Sequence, residues 1–349
     1  MSSGTPLRLG TRGSQLALWQ ANTVAARIAQ AGGPLCEIVV IRTDGDRLQQ
    51  RPLSEIGGKR LFVKEIEDAL LGGTIDIAVH SSKDMSAVLP AGLTIAGVLP
   101  RESPLDAIVL PVRLKADTTD EMADASHETA DASVSYVVSG FSRNVASIDE
   151  VRAVLGASPS IGTGSVRRIA QLTRLFPGAR FTGIRGNLDT RLRKLDEGAH
   201  DALVLAAAGL NRLGFAARIS LSIAADDCVP APGQGIVAIE IRGGDARTRG
   251  AVAPINDAAA GDALTAERAL VEALGGGCQM PVGGLATVDG DQLELIAAVI
   301  ALDGSRIVRG RAHAPRTPAA SVPPPPAPAH HARLGRACAT ACRGCRGFP

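Results

Sequence analysis

Aromatic side chains are almost missing from this 349-residue chain: one Trp, one Tyr and six Phe. That argues against a surface that stacks nucleic-acid bases, and a net charge of only +2 removes the basic stripe a phosphate backbone would want. Lysine is scarce too. Only Lys59, Lys64, Lys83, Lys115 and Lys194 occur, so 32 of the 37 basic residues are arginine. A guanidinium grips a carboxylate or phosphate through two parallel bonds where an ammonium is a point charge, so the bias suits a small anionic ligand. No apolar run approaches the roughly 18 residues that cross a bilayer, and Met1–Pro6 lacks the charged start and apolar run of a secretory signal. A cytoplasmic location is the expectation. The six cysteines suggest no disulfide framework, since Cys338, Cys342 and Cys345 crowd the end while Cys36, Cys228 and Cys278 are scattered. No metal site is expected: His80 has no partner histidine at ligand spacing, and Cys338, Cys342 and Cys345 with His330 and His331, which could bind zinc, read rather as accidental composition.

What is present begins with one thiol on pliable backbone. Cys278 sits in Gly275-Gly276-Gly277-Cys278-Gln279-Met280-Pro281-Val282-Gly283-Gly284, an unlikely setting for a packed structural cysteine and a suitable one for an attachment point. Around it the chain reads as α/β. Residues 1–110 alternate short apolar runs (Glu37–Ile41, Ile75–Val79, Thr94–Leu99) with helical stretches, the first at about Ser14–Ala31 with Leu16, Trp19, Val24 and Ile28 apolar, another at Phe62–Leu71. This is the rhythm of a parallel sheet. Residues 111–158 are rich in Asp, Glu, Ala, Ser and Thr and read as an insertion or linker. The rhythm restarts over 159–234, with helices at Ser165–Phe176 and from Asn187. A third unit at 254–315 holds a helix at Ala263–Leu274, the Cys278 loop and strands at Gln292–Leu302 and Arg306–Gly310. From Arg316 the chain turns proline-rich and then Arg/Cys-rich, with no amphipathic period able to cover those strands.

Hydroxyls and arginines gather where a strand hands over to a helix: Thr11-Arg12-Gly13-Ser14, Thr163-Gly164-Ser165-Val166-Arg167-Arg168 and Arg185-Gly186-Asn187-Leu188-Asp189-Thr190-Arg191. Free N–H groups and the positive end of a helix already favour anions there, and the arginines add forks. Nucleotide readings fail on detail, since Gly162-Thr163-Gly164 is followed by Arg167 where the dinucleotide fingerprint wants glycine, and no Gly-Lys-Ser/Thr marks a P-loop. His80-Ser81-Ser82-Lys83-Asp84-Met85 follows a strand at the carboxyl edge where open sheets hold ligands. Asp84 is the candidate acid–base group, an anion suited to a cationic intermediate or to shuttling one proton; it also suits the cap of a following helix.

These motifs together resemble the porphobilinogen deaminase family. The likeness runs over about Leu7–Leu110 and Ser160–Pro315, through Leu16-Ala17-Leu18-Trp19-Gln20, Gly57-Gly58-Lys59-Arg60-Leu61-Phe62-Val63-Lys64-Glu65, His80–Asp84, Arg185-Gly186-Asn187, Pro232-Gly233-Gln234-Gly235 and Gly277-Cys278-Gln279. It implies two doubly wound domains like those of periplasmic binding proteins, hinged around a cleft, and a small α+β third domain. The chain is implied to return to the first domain at about 235–253. A dipyrromethane cofactor, made from the substrate, is implied on Cys278 through a thioether. Four porphobilinogens are then joined head to tail, each losing ammonia, and linear hydroxymethylbilane is released: a transferase acting as a monomer, without metal, nucleic acid or membrane. Residue by residue, the family gives Asp84 the catalytic role. It assigns Ser81, Lys83, Thr163, Ser165, Arg167 and Arg168 to the cofactor, and Arg12, Ser14, Gln20, Arg185, Arg191 and Arg212 to substrate.

The sequence departs from its relatives at Ser86, at Gly164, in Glu102-Ser103-Pro104-Leu105-Asp106 and, most of all, beyond Pro315, where they finish the third domain with a helix. Without it Leu293, Leu295, Ile296 and Val299 stand to lose cover on one sheet face. Two alternatives therefore stay open: an inactive homologue with a damaged third domain, and a non-catalytic module that clamps a carboxylate or phosphate.

Overall fold

The computed structural model describes residues 5–43, 63–112, 145–275, 281–301 and 303–316. Cys278, most of the Gly57–Glu65 motif, the acidic stretch through 144 and the tail from 317 lie outside the described residues.

The first domain starts with β1 (Leu7–Thr11), α1 (Gln15–Gln30) and β2 (Cys36–Val40), followed by α2 (Lys64–Leu71), β3 (Ile77–Ser81), a 3-10 turn over Ser82–Asp84 and β4 (Leu93–Val98). Leu7, Leu9, Ile77 and Val79 on the strands meet Ala21, Val24 and Ile28 of α1, a one-sided helical stripe. Trp19, read as part of that stripe, is instead 37% exposed.

The chain then crosses to the second domain, and does so earlier than residue 110. β5 (Asp106–Val109) pairs antiparallel with β8 (Ala202–Ala206) and β9 (Leu221–Ile223), so 106–110 belongs to the second sheet. That corrects the boundary of the first domain, and the reason is physical: Asp-Ala-Ile-Val is a short buried strand that either sheet could accept, and pairing decides. A second correction concerns the segment 111–158. Its last part forms α3 (Ile148–Leu155), capped by Ser147, whose hydroxyl accepts from Glu150 N, while the Glu150 carboxylate accepts from Ala146 N at 2.8 Å. Val151 seats this helix in the core with Ile108 and Leu172. The domain is completed by β6 (Ser160–Gly162), α4 (Val166–Leu175), β7 (Arg180–Thr182), α5 (Leu188–Asp196) and α6 (Ala207–Arg212).

The chain crosses back through 224–236 into β10 (Val237–Arg242), which lies antiparallel between β3 and β4, and continues to α7 (Ala246–Val252). The sheet orders β2-β1-β3-β10-β4 and β7-β6-β8-β5-β9 are equivalent. Each is a doubly wound sheet that receives one antiparallel strand on a crossing.

The third domain is α8 (Ala258–Ala273) on a sheet of β11 (Val282–Asp289), β12 (Gln292–Ile300) and β13 (Ile307–Pro315). β11 has no counterpart among the expected strands, because Gly283 and Gly284 weaken a strand pattern. Both are needed: a Cβ on Gly283 would stand 2.7 Å from Val229 and one on Gly284 2.8 Å from Leu270. The anticipated loss of cover does not occur. Leu293, Leu295 and Val299 pack against Ala263, Ala266 and Leu270 of α8, and Ile296 faces the other way, toward Ala170 and Val229 of the second domain.

Candidate active site

Both crossings pass beside the end of β3, and there the chain concentrates charge. Ser81 ends the strand, and its hydroxyl accepts from Gln20 Nε2 at 2.9 Å, tying α1 to the turn. Lys83 and Asp84 follow. Met85 then drives into an apolar cluster with Val98, Ile236 and Ala238 and with Ala260 and Leu264 of α8, so the turn carrying Asp84 is anchored to the third domain.

Pro232-Gly233-Gln234-Gly235 packs against this turn. Gly233 and Gly235 have φ of 75° and 87°, where side chains are strained, and there is no room for one: a Cβ would meet Ser82 Oγ at 2.6 Å and the Glu102 carbonyl at 2.2 Å, respectively. The two glycines thus aim Gln234 inward, where it is 1% exposed. Its Nε2 donates to Pro104 O at 2.7 Å and to Asp106 Oδ1 at 2.9 Å, and its Oε1 accepts from Lys83 Nζ and Arg168 Nη2, each at 3.5 Å.

Opposite stands the β6–α4 turn. Ser165 caps α4, its hydroxyl accepting from Arg168 N, and Thr163 Oγ1 accepts from Ser165 N at 3.4 Å. Arg167 and Arg168 are buried and converge on Asp106. Arg167 Nη1 lies 2.8 Å from Oδ2, and Arg168 reaches Oδ1 through Nε at 2.9 Å and Nη2 at 2.8 Å. Burial alone would raise the Asp106 pKa, but the two guanidiniums win and hold it well below the usual carboxylate range. The pair assigned to cofactor thus spends much of its donor capacity inside the protein.

Arg191 donates through Nε to Gly186 O at 2.8 Å; burial lowers its pKa, Arg168 and Arg185 lower it further, and Asp84 opposes them. The carboxylate of the first domain therefore lies within electrostatic reach of the arginines of the second. Lys83 belongs to the same field. Burial pushes it down to about 8, with Arg168 and Arg167 acting in the same sense and Asp84 and Asp106 against it. Arg212, at the end of α6, donates to Gly235 O at 2.6 Å and lies 5.6 Å from the Trp19 ring centroid, spanning from second domain to first. Arg12 is half-buried in the β1–α1 turn, and the Ser14 hydroxyl serves as the α1 cap by accepting from Ala17 N at 3.3 Å.

Lys83 and Asp84 of the first domain thus share one electrostatic field with Arg167, Arg168 and Arg191 of the second; Gln20 joins through Ser81, Arg185 through Arg191, and Thr163 and Ser165 shape the turn that carries the arginine pair. Cys278 lies outside the described residues, between α8 and β11 in the sequence. His80, next to Ser81, pairs with buried Glu240 at 3.1 Å on β10. Two further residues emerge that were named only within longer stretches and given no role, Asp106 and Gln234. Their signals were an acid opening an otherwise apolar strand and an amide between two glycines.

Comparison with known proteins gives the family. A family model described as porphobilinogen deaminase, dipyromethane cofactor binding domain, matches residues 7–250, and one for the porphobilinogen deaminase C-terminal domain matches 262–323. The chain belongs to the porphobilinogen deaminase family. Among its relatives, the porphobilinogen deaminase of Syntrophobacter fumaroxidans is 42% identical over 304 residues, covering 87% of each chain. That of Bordetella parapertussis is 42% identical over 324 residues, covering 92% of this chain and 91% of the relative. Of solved structures, a putative methionine-binding lipoprotein from Bacillus subtilis overlaps 73% of this chain and 91% of its own at 9% identity, with a TM-score of 0.38.

Proposed function

We propose that this chain condenses four porphobilinogens head to tail, with loss of ammonia, on a dipyrromethane primer bound to Cys278, and releases hydroxymethylbilane. What supports the reading is the electrostatic field that Asp84 and Lys83 share with Arg167, Arg168 and Arg191, in a chain whose family is named for this reaction. Each porphobilinogen bears an acetate and a propionate, so the growing oligomer is a polyanion, and a wall of guanidiniums fits it. The same donor chemistry fits the primer, which would be held by Ser81, Lys83, Thr163, Ser165, Arg167 and Arg168. When bound, the primer supplies the pyrrole ring that attacks the next monomer. Asp84 supplies the anion: it holds pyrrole N–H groups and stabilises the positive charge that develops as ammonia leaves. Arg12, Ser14, Gln20, Arg185, Arg191 and Arg212 orient the incoming monomer, and tethering at Cys278 makes each coupling effectively intramolecular.

No helix among the described residues is long and apolar enough to cross a membrane. The reading is of a monomer working in the cytoplasm.

The test is intact-mass spectrometry of the purified chain together with product assay. The native chain should carry a two-pyrrole adduct and form tetrapyrrole; Cys278→Ser should lack both. Asp84→Asn should fold normally, with turnover reduced at least about a thousandfold, the scale of removing a transition-state charge partner. A folded native chain of bare mass and no turnover would support the inactive homologue, and undiminished function in Cys278→Ser would support the binding module.

A further inference from the structure

A carboxylate that the reaction does not call for sits at the centre of the cation array. Asp106 is 0% exposed and receives donors from five side-chain atoms of four residues. Its Oδ1 accepts from Arg168 Nε and Nη2 and from Gln234 Nε2; its Oδ2 accepts from Arg167 Nη1 and, at 3.4 Å, from the Cys228 thiol. The arginines are fixed from behind as well, Arg167 by Val229 O at 2.7 Å and Arg168 by Val204 O at 3.0 Å. Adjacent residues of a helix point about a quarter-turn apart, so neighbouring guanidiniums converge only if something draws them together. Two guanidiniums against one carboxylate leave a surplus of one positive charge, with the Lys83 ammonium joined to the group through Gln234.

We propose that Asp106 is a positioning residue for the reaction, an internal carboxylate that holds Arg167 and Arg168 in place and at the same time competes with the ligand carboxylates for them. The reaction gives a reason for both effects. An oligomer that lengthens ring by ring must shift its carboxylates past fixed cations, and a pair of unopposed buried arginines would grip one ring too tightly to let it advance. A carboxylate already in place keeps the grip exchangeable and returns the arginines to position between additions. This inference rests on the function proposed above for the same site.

The test uses the full-length Cys278→Ser chain, which has no attachment point for primer, with citrate as the polycarboxylate probe. Adding Asp106→Asn should tighten citrate binding by calorimetry about tenfold, because the ligand no longer competes with an internal charge. In the otherwise native chain, Asp106→Asn should lower kcat about a hundredfold while KM falls or holds, since positioning is lost and grip increased. Asp106→Glu should restore part of kcat. A folded Asp106→Asn chain that binds citrate no more tightly, or that keeps native kcat, overturns the proposal; a purely structural Asp106 would change the folded fraction and neither of these. If Asp106→Asn does not fold, the guanidinium Nε–H resonances of Arg167 and Arg168 in Cys278→Ser carry the test. Saturating citrate should shift them as Asp106 is displaced, and unshifted resonances overturn the idea. The citrate measurements need no turnover, so they stand apart from failure of the functional reading, which would show as a native chain forming no tetrapyrrole.

Discussion

Lys83 is the residue whose charge is most sensitive to ordinary conditions. Its depressed pKa of about 8 means that the folded protein releases this proton more readily than the unfolded chain, whose lysine titrates near 10.4. Protonated Lys83 is thus the form that folding disfavours, and as pH rises from about 8 toward 10 this site's contribution to stability increases. Ligand binding runs the opposite way, because a carboxylate needs the ammonium. Citrate affinity of the Cys278→Ser chain should fall as pH rises through about 8, with proton uptake on binding above that pH, measured by calorimetry in two buffers of different ionisation enthalpy. Lys83→Arg should move the fall well above pH 9; a flat profile from 7 to 9.5 in the parent would refute the assignment. Among the groups facing Lys83 are Asp84, Asp106, Arg167, Arg168 and Gln234. Sequence reading found the cations of this site because guanidiniums at helix starts announce themselves. It could not find their partner. Arg168 and Asp106 are separated by 62 positions and meet only through the second sheet. The hydroxyls of Ser14 and Ser165, read as ligand donors, accept backbone N–H groups as helix caps, which leaves their O–H protons to donate.

At the scale of elements, the turn 232–235 does the positioning, and its glycines set the terms. The carbonyl of Gly235 accepts from Glu102 N at 3.0 Å and from Arg212, so both crossings and α6 converge on one peptide unit. Gly235→Ala adds a methyl at φ 87° and 2.2 Å from the Glu102 carbonyl. It should cost about 2–4 kcal/mol by chemical denaturation, the sum of left-handed strain and a backbone clash, and it should lower turnover by displacing Gln234. Ala at the open Gly164, where a Cβ meets nothing within 4 Å, should cost under about 1 kcal/mol and serves as the control. In the first domain, helices and strands with clear period were legible within two residues, as Ile75–Val79 against Ile77–Ser81 and Thr94–Leu99 against Leu93–Val98; in the third, the helix expected from Ala263 begins at Ala258 and the strand expected to end at Gly310 runs to Pro315. What escaped was short or compositionally disguised. The acid- and alanine-rich composition of 111–158 concealed a Ser147/Glu150 capping pair and a helix, and the glycines of β11 concealed a strand held close to Val229.

For the whole molecule, the third domain is a wedge with one face on each of the others. Its helix α8 lies on the first domain through Ala260 and Leu264, and the outer face of β12 lies on α4 of the second through Ala298 and Ile300 against Ala170. Glu267 closes the junction: fully buried, it accepts from Arg101 at 2.6 Å, Gly233 N at 2.5 Å and Ala286 N at 2.7 Å, linking both crossings to the third domain. Because α4 also carries Arg167 and Arg168, the domain that leads to Cys278 and the helix that supplies the cations share one apolar contact. That contact adjoins the site at Val229, whose carbonyl holds Arg167, but includes no residue read as meeting ligand. Ala298→Asp buries an unpaired carboxylate between β12 and α4, at a cost of about 3–5 kcal/mol. If the wedge couples the domains, thermal unfolding should split into two transitions, with the third domain melting first. Turnover should fall with the fraction of docked third domain, while the two large domains keep citrate affinity within about threefold of the parent. A single cooperative transition with native turnover would show that the third domain holds its place through its other contacts, the Glu267–Arg101 pair and the packing of Ala260 and Leu264 among them, and that the β12–α4 contact does not couple the domains.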